Sequence, residues 1–216
     1  MKFKAVYPVC RLGYNTIAMD RLIGDWQSII TLRSKRFNCG HCGSSVSSDR
    51  GYRIPFGNTG MTTATAYVCH DCNRLSLFDQ DIVQVPAPML GRTIERLPED
   101  VEFLHSEMRR ASAVGAYSLV IIGGRKLLMH VAVSLGAEEG ESFKWYVEYL
   151  EKNHFTPPKS KLWVTKIKDM GNESNHEILI SSNEDSVKIM KFIDLLLTFN
   201  YEYADAEDDK ELDVDQ

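Results

Sequence analysis

The chain has 216 residues, 44% of them hydrophobic, and a formal net charge of −5. This length fits one large domain or two small ones, and the hydrophobic content is ordinary for a globular protein. No apolar run approaches the roughly 20 residues of a membrane helix, so no membrane partner is expected.

The charge is unevenly spread. From Glu202 to Gln216 there are eight acidic residues and one lysine, a net of −7, which leaves +2 for the rest of the chain. Residues 1–60 carry nine Lys and Arg against three Asp, a net of +6. A basic front end therefore faces an acidic, disordered tail at 202–216. One reading is an ordinary solvated surface. The other is a phosphate-binding patch, with Arg33, Lys35, Arg36, Arg50 and Arg53 as the residues that would contact RNA or DNA.

In chain order, Lys2 to Tyr7 alternates like a short strand. Pro8, Arg11 and Asn15 leave no apolar core for a secretory signal, so the chain is read as cytoplasmic. Asp20 to Arg33 has Leu22, Ile23, Trp26, Ile29, Ile30 and Leu32 at roughly helical spacing, with Gly24 against it.

Two Cys-x2-Cys pairs come next, Cys39 with Cys42 and Cys69 with Cys72, with 26 residues between them. That pattern predicts a structural Zn2+ site with four thiolate ligands. Two residues between cysteines let one tight turn aim both sulfurs at one ion, and the second pair completes the tetrahedron. Gly43 and Asn73 follow the pairs and tolerate the left-handed backbone of such turns. His41 and His70 could compete as ligands, but four thiolates suffice. Cys10 reads as a small buried apolar residue. Disulfides are disfavoured without a secretion signal. Gly51 to Ile54, Thr62 to Val68 and Leu75 to Phe78 read as ribbon strands, with a turn at Gly57 to Gly60.

Residues 1–83 thus form an N-terminal segment and ribbon, and 84–97, with Pro86 and Pro88, form a linker. A helical domain occupies 98–201. Pro98-Glu99-Asp100 opens its first helix. Ser112 to Leu135 is apolar nearly all round, which implies central burial; Gly123-Gly124 interrupts it, and the default explanation is packing, with another helix crossing closely. Further helices are expected at 141–153, 159–170 and from Ser182, a cap with Asp185 three residues on, close to a capping box. The fold class expected is mainly α: a small β zinc ribbon followed by a bundle of four or five helices.

Small and polar residues crowd together at Gly171-Asn172-Glu173-Ser174-Asn175-His176. With Phe37 to Gly43, Arg110 to Ala113, Gly124 to Leu128 and Lys168 to Met170, this element resembles the family of unknown function numbered 4145. That family looks like a relative of the HEPN helical superfamily, and the bundle is accordingly expected to be HEPN-like. The resemblance implies either a metal-independent ribonuclease of toxin or defence type, or a binding module or scaffold. It also implies a homodimer formed through the helical domain. The HEPN motif is an Arg followed, after four to six residues, by a His. Here the matching positions are Gly171, Asn172 and His176, so glycine stands where the arginine would be. His176 would be the general acid or base, Arg125 or Lys168 the charge stabiliser, and Asn172 the positioning group. Alternatively, Gly171 ends a helix, Asn172 caps the next segment, and His176 locks two helices. Arg125 and His130 also fit Arg-x4-His, but five residues of helix set them roughly 140° apart.

Overall fold

The computed structural model describes residues 21–55, 61–79, 82–156 and 180–203. Cys10, the strand expected at 2–7, the turn at 57–60, the helix at 159–170, the Gly171–His176 element and the tail beyond Tyr203 lie outside the described residues. In chain order the described strands are β1 (Ile30–Asn38), β2 (Ser45–Pro55), β3 (Thr62–Val68), β4 (Leu75–Asp79) and β5 (Val83–Val85). The described α-helices are α1 (Glu99–Ala113), α2 (Tyr117–Ser134), α3 (Phe143–Lys152) and α4 (Asn183–Leu197). A π turn over Thr198–Glu202 continues α4.

The expectation of a mainly α protein is corrected. All five strands join one antiparallel sheet in the order β1-β2-β3-β4-β5, a substantial layer beside the four described helices. Two strands come from residues that local pattern assigned elsewhere. β1 includes Ile30 to Arg33, the end of the run with helical spacing. It pairs with β2 from Ile30 opposite Gly51 to Asn38 opposite Ser45, across a bulge between Thr31 and Lys35. β5 lies at the start of the proline-rich stretch and pairs with β4. Ladder partners supplied by β2 and β4 decide both cases, because β structure depends on cross-strand neighbours more than on local sequence.

Residues 21–29 are neither helix nor strand. Gly24 and Ser28 have left-handed backbones, at φ +115° and +57°, which a helix does not accommodate. The segment instead lies along the second cysteine turn, with the Leu22 amide donating to the Cys72 carbonyl at 2.9 Å.

Two apolar cores result. In the sheet, Leu32, Phe37, Val46, Tyr67 and Phe78 are buried around the cysteines. Phe37, Tyr67 and Phe78 form an edge-on cluster with centroids 5.3–6.2 Å apart. In the helical part, α2 is the spine, as its all-round apolar character predicts. Val120, Leu127, Leu128 and Val131 are buried between α1, α3 and α4. Two points of the expected helix are corrected: Ser112 and Ala113 end α1, and α2 begins at Tyr117 and runs unbroken through Gly123-Gly124. A Cβ at Gly123 would meet Met108 of α1 at 2.7 Å, and one at Gly124 would meet Ile189 of α4 at 2.7 Å. The glycines therefore admit two neighbouring helices at once. Ser182 caps α4 as expected, with a reciprocal box to Asp185.

The sheet meets the helices through 86–93. The Ala87 amide donates to the Ala113 carbonyl and the Leu90 amide to Ser112 Oγ, both at 2.9 Å. Gly40, in the first cysteine turn, lies so close to the Pro86 and Ala87 carbonyls that any side chain there would clash.

Candidate metal centre

Each cysteine pair sits on a tight turn, and the two turns are built alike. In the first, the Gly43 amide donates to the Cys39 carbonyl and the Cys39 amide to the Ser44 carbonyl, both at 2.8 Å. In the second, Asn73 donates to Cys69 and Cys69 to Arg74, both at 2.9 Å. Gly43 (φ +79°) and Asn73 (φ +57°) close the turns with left-handed backbones, as their residue types predicted. Asn73 does more than close its turn. Its Nδ2 donates to the carbonyls of Leu22 at 3.0 Å and Gly24 at 2.7 Å, while its own carbonyl accepts from Trp26 Nε1 at 2.9 Å.

The four sulfurs of Cys39, Cys42, Cys69 and Cys72 lie within 4.8 Å of one another. Cys39 to Cys72 and Cys42 to Cys69 are each 3.7 Å apart. A tetrahedron with metal–sulfur bonds of ~2.3 Å has sulfur–sulfur edges of about 3.8 Å. The spacing thus fits one metal ion such as zinc and is far too long for a disulfide. The His41 amide also donates to Cys39 Sγ at 3.4 Å.

The donor chemistry agrees. Burial pushes the Cys69 thiol up to about 11, and the nearby Cys39 and Cys42 sulfurs push it the same way. Burial raises the Cys72 thiol as well. At Cys42 burial pushes upward too, but hydrogen bonds with Ser44, Cys39 and Cys72 together outweigh it and hold the thiol below its usual value. Four cysteine sulfurs packed this closely become thiolates together only around a cation. His41 is not a rival ligand. Its Nε2 donates to the Leu75 carbonyl at 2.9 Å, and neither it nor His70 belongs to the cluster.

The five basic residues separate. Arg33 and Arg53 line one groove of about 270 Å³ with Thr62, Thr63, Thr65 and Tyr67. Lys35 Nζ stands 4.6 Å from the centre of the Phe78 ring. Arg36 and Arg50 are exposed opposite Ser47 and Thr31 and do not line the groove.

Of the residues considered for catalysis, Lys168, Asn172 and His176 lie outside the described residues. Arg125 is half-buried on α2, its guanidinium carbon 4.8 Å from the centre of the Phe143 ring. His130 pairs instead with Asp100, at 2.9 Å. The Arg-x4-His match therefore does not form a site.

A second polar cluster had no signal in the sequence. A cleft of about 350 Å³ separates the cysteine turns from α1, with His41, Cys42, Asp71, His105 and Arg109 among its lining residues. His105 is buried, and its Nε2 meets Asp194 Oδ1 of α4 at 2.9 Å. Asp194 Oδ2 accepts from the Arg92 amide at 3.2 Å. Arg92 itself is ion-paired to Glu202.

Sheet and cysteine cluster define a four-cysteine ribbon in front of an α-helical domain. The model of the domain of unknown function DUF4145 matches residues 106–213, half of the chain, and the protein belongs to that family. The match begins within α1, so the ribbon precedes it. No curated protein and no solved structure matches the chain. No described helix is long and apolar enough to cross a membrane.

Proposed function

We propose that the protein is a nucleic-acid-binding or sensing module whose ribbon is shaped by a structural zinc ion held by Cys39, Cys42, Cys69 and Cys72. With four protein ligands the ion has no open position, so it would supply folding energy rather than chemistry. The observation that carries the reading is the Arg33–Arg53 groove. Two guanidiniums and three threonines line it, and among the described residues no acidic one does. Guanidiniums match phosphate geometry, and the threonine hydroxyls supply further hydrogen bonds to a nucleic-acid backbone. The test is fluorescence anisotropy of the zinc-loaded chain with single-stranded RNA and DNA over a range of salt. R33A/R53A is expected to weaken binding at least tenfold and to lower the salt slope by about 1.4, roughly 0.7 for each phosphate of a single strand no longer neutralised. R36A/R50A changes it less. Binding that ignores R33A/R53A rules out the groove as the nucleic-acid surface.

A second reading, that two copies pair through the helices, is favoured by one surface. Leu119 and Ile122 of α2 are 61% and 63% exposed. Leu119 lines a groove of about 340 Å³ with Leu104, Met108 and Ala111, and Glu107 and Arg110 line it as well. An apolar strip edged by one acid and one base is self-complementary about a two-fold axis. Light scattering is expected to give a dimer for the native chain and a monomer for L119E/I122E. A monomeric native chain rules this reading out.

A further inference from the structure

Arg109 is a cation of α1 whose guanidinium reaches the first cysteine turn. Its Nε donates to the Leu90 carbonyl at 3.3 Å and its Nη1 to Thr93 Oγ1 at 3.0 Å. Its Nη2 lies 3.0 Å from where a Cβ on Gly43 would stand, next to Cys42. It lines the same cleft as Cys42 and Cys72. Among the described residues no carboxylate makes an ion pair with it, and the Leu90 and Thr93 oxygens that accept from it are both neutral. Burial lowers its pKa, which measures the cost of holding this cation out of water. Asp194 offsets part of that cost from a distance, but is itself engaged by His105 and the Arg92 amide. Arg110, the next residue, turns its Nη1 to Ser106 instead, at 3.2 Å.

A zinc ion with four thiolates has a formal charge of −2, and neighbours of a metal site that balance or orient its ligands strengthen binding. We propose, resting on the zinc reading above, that Arg109 is the counter-charge of the metal centre, so that metal occupancy and docking of the ribbon on α1 are one coupled equilibrium. Zinc loading holds the guanidinium against the first cysteine turn, and the guanidinium in turn holds Leu90 and Thr93. Loss of zinc frees the guanidinium and loosens 86–93 from α1. The ribbon's metal state is thereby transmitted to the helical domain.

Zinc affinity of the full chain, measured by competition with a chromophoric chelator, tests this. R109M is expected to bind zinc 10- to 100-fold more weakly, the usual effect of removing such a neighbour. R109K, which keeps the charge but not the fork, falls between R109M and the native chain. R110M stays within about threefold of the native chain, since it removes charge from the same cleft, where Nη1 of Arg110 is turned to Ser106. Native-like affinity in a folded R109M, or an equal loss in R110M, overturns the proposal. If R109M does not fold, hydrogen exchange of the native chain decides. Zinc withdrawal is expected to speed exchange of the Ala87 and Leu90 amides while Ile189 to Leu197 stay protected. Unchanged protection at 87–93 overturns it. A native chain that binds no zinc would instead sink the metal reading itself.

Discussion

Asn73 combines a strained backbone with three tertiary hydrogen bonds. Its left-handed backbone closes the second cysteine turn, and its side chain fastens residues 21–24 over that turn. Replacing it tests the two roles separately. Asn73→Gly keeps the turn and loses the side-chain bonds. Asn73→Ala loses the bonds and adds left-handed strain of about 1–2 kcal/mol. With each lost bond worth about 1 kcal/mol, Asn73→Ala is expected to cost roughly 3 kcal/mol and Asn73→Gly about 2 kcal/mol in urea unfolding of the zinc-loaded protein. Equal losses would mean that the backbone conformation contributes nothing. The cysteine turns were legible from sequence because their chemistry is confined to four or five consecutive residues. The bonds from Asn73 to Leu22 and Gly24 span about fifty residues and left no local trace.

At the scale of the element, α4 is specified at both levels. Ser182 Oγ accepts from the Asp185 amide at 3.2 Å, and Asp185 Oδ2 accepts from the Ser182 amide at 3.3 Å. Ser182→Ala is expected to cost about 1 kcal/mol by chemical denaturation. The box also carries a pH dependence. The hydrogen bond from Ser182 holds the Asp185 carboxyl below its ordinary value, with Lys188 adding to the effect. A carboxyl depressed in the folded state contributes stability above its unfolded pKa of about 3.9, and this is lost as pH falls through the folded value. Ser182→Ala should therefore shift acid unfolding to higher pH, read by circular dichroism between about pH 5 and 2. Downstream of the cap, Ile189 and Ile193 pack onto Gly124 of α2. Gly124→Ala is expected to cost about 1–3 kcal/mol through overpacking, despite alanine's better helix propensity. A stabilised G124A would show that α2 and α4 can separate freely.

At the scale of the whole molecule, the described residues form two cores of different origin. The helical core is large and apolar, with Leu127, Leu128, Val131, Ile193 and Leu197 almost wholly buried. The ribbon core is small and contains three of the four cysteines among its buried residues. Removing the metal should therefore melt the molecule unevenly. A strong chelator is expected to abolish the near-ultraviolet signal of Tyr67 and the phenylalanines while most helical ellipticity remains. Leu128→Ala should do the reverse, costing about 2–5 kcal/mol in the helical transition and leaving zinc affinity unchanged. A single transition lost on chelation would show that the helical domain cannot stand without the ribbon.

The sequence alone determined the four cysteines and their turns, the apolar character of the central helix though not its start, and Ser182 as the cap of α4. Each depends on residues within one turn, or on a periodicity that the chain displays along itself. Tertiary structure decided that Ile30 to Arg33 is a strand, because the partner that satisfies its backbone groups is β2. It also decided that Arg33 and Arg53 share a groove while Arg36 and Arg50 do not. And it set Arg109, a helix residue with no motif around it, against the first cysteine turn 66 residues earlier in the chain. Strand pairing, burial and the balance of charge around a metal are set by what the rest of the chain brings near, and residue spacing does not encode them.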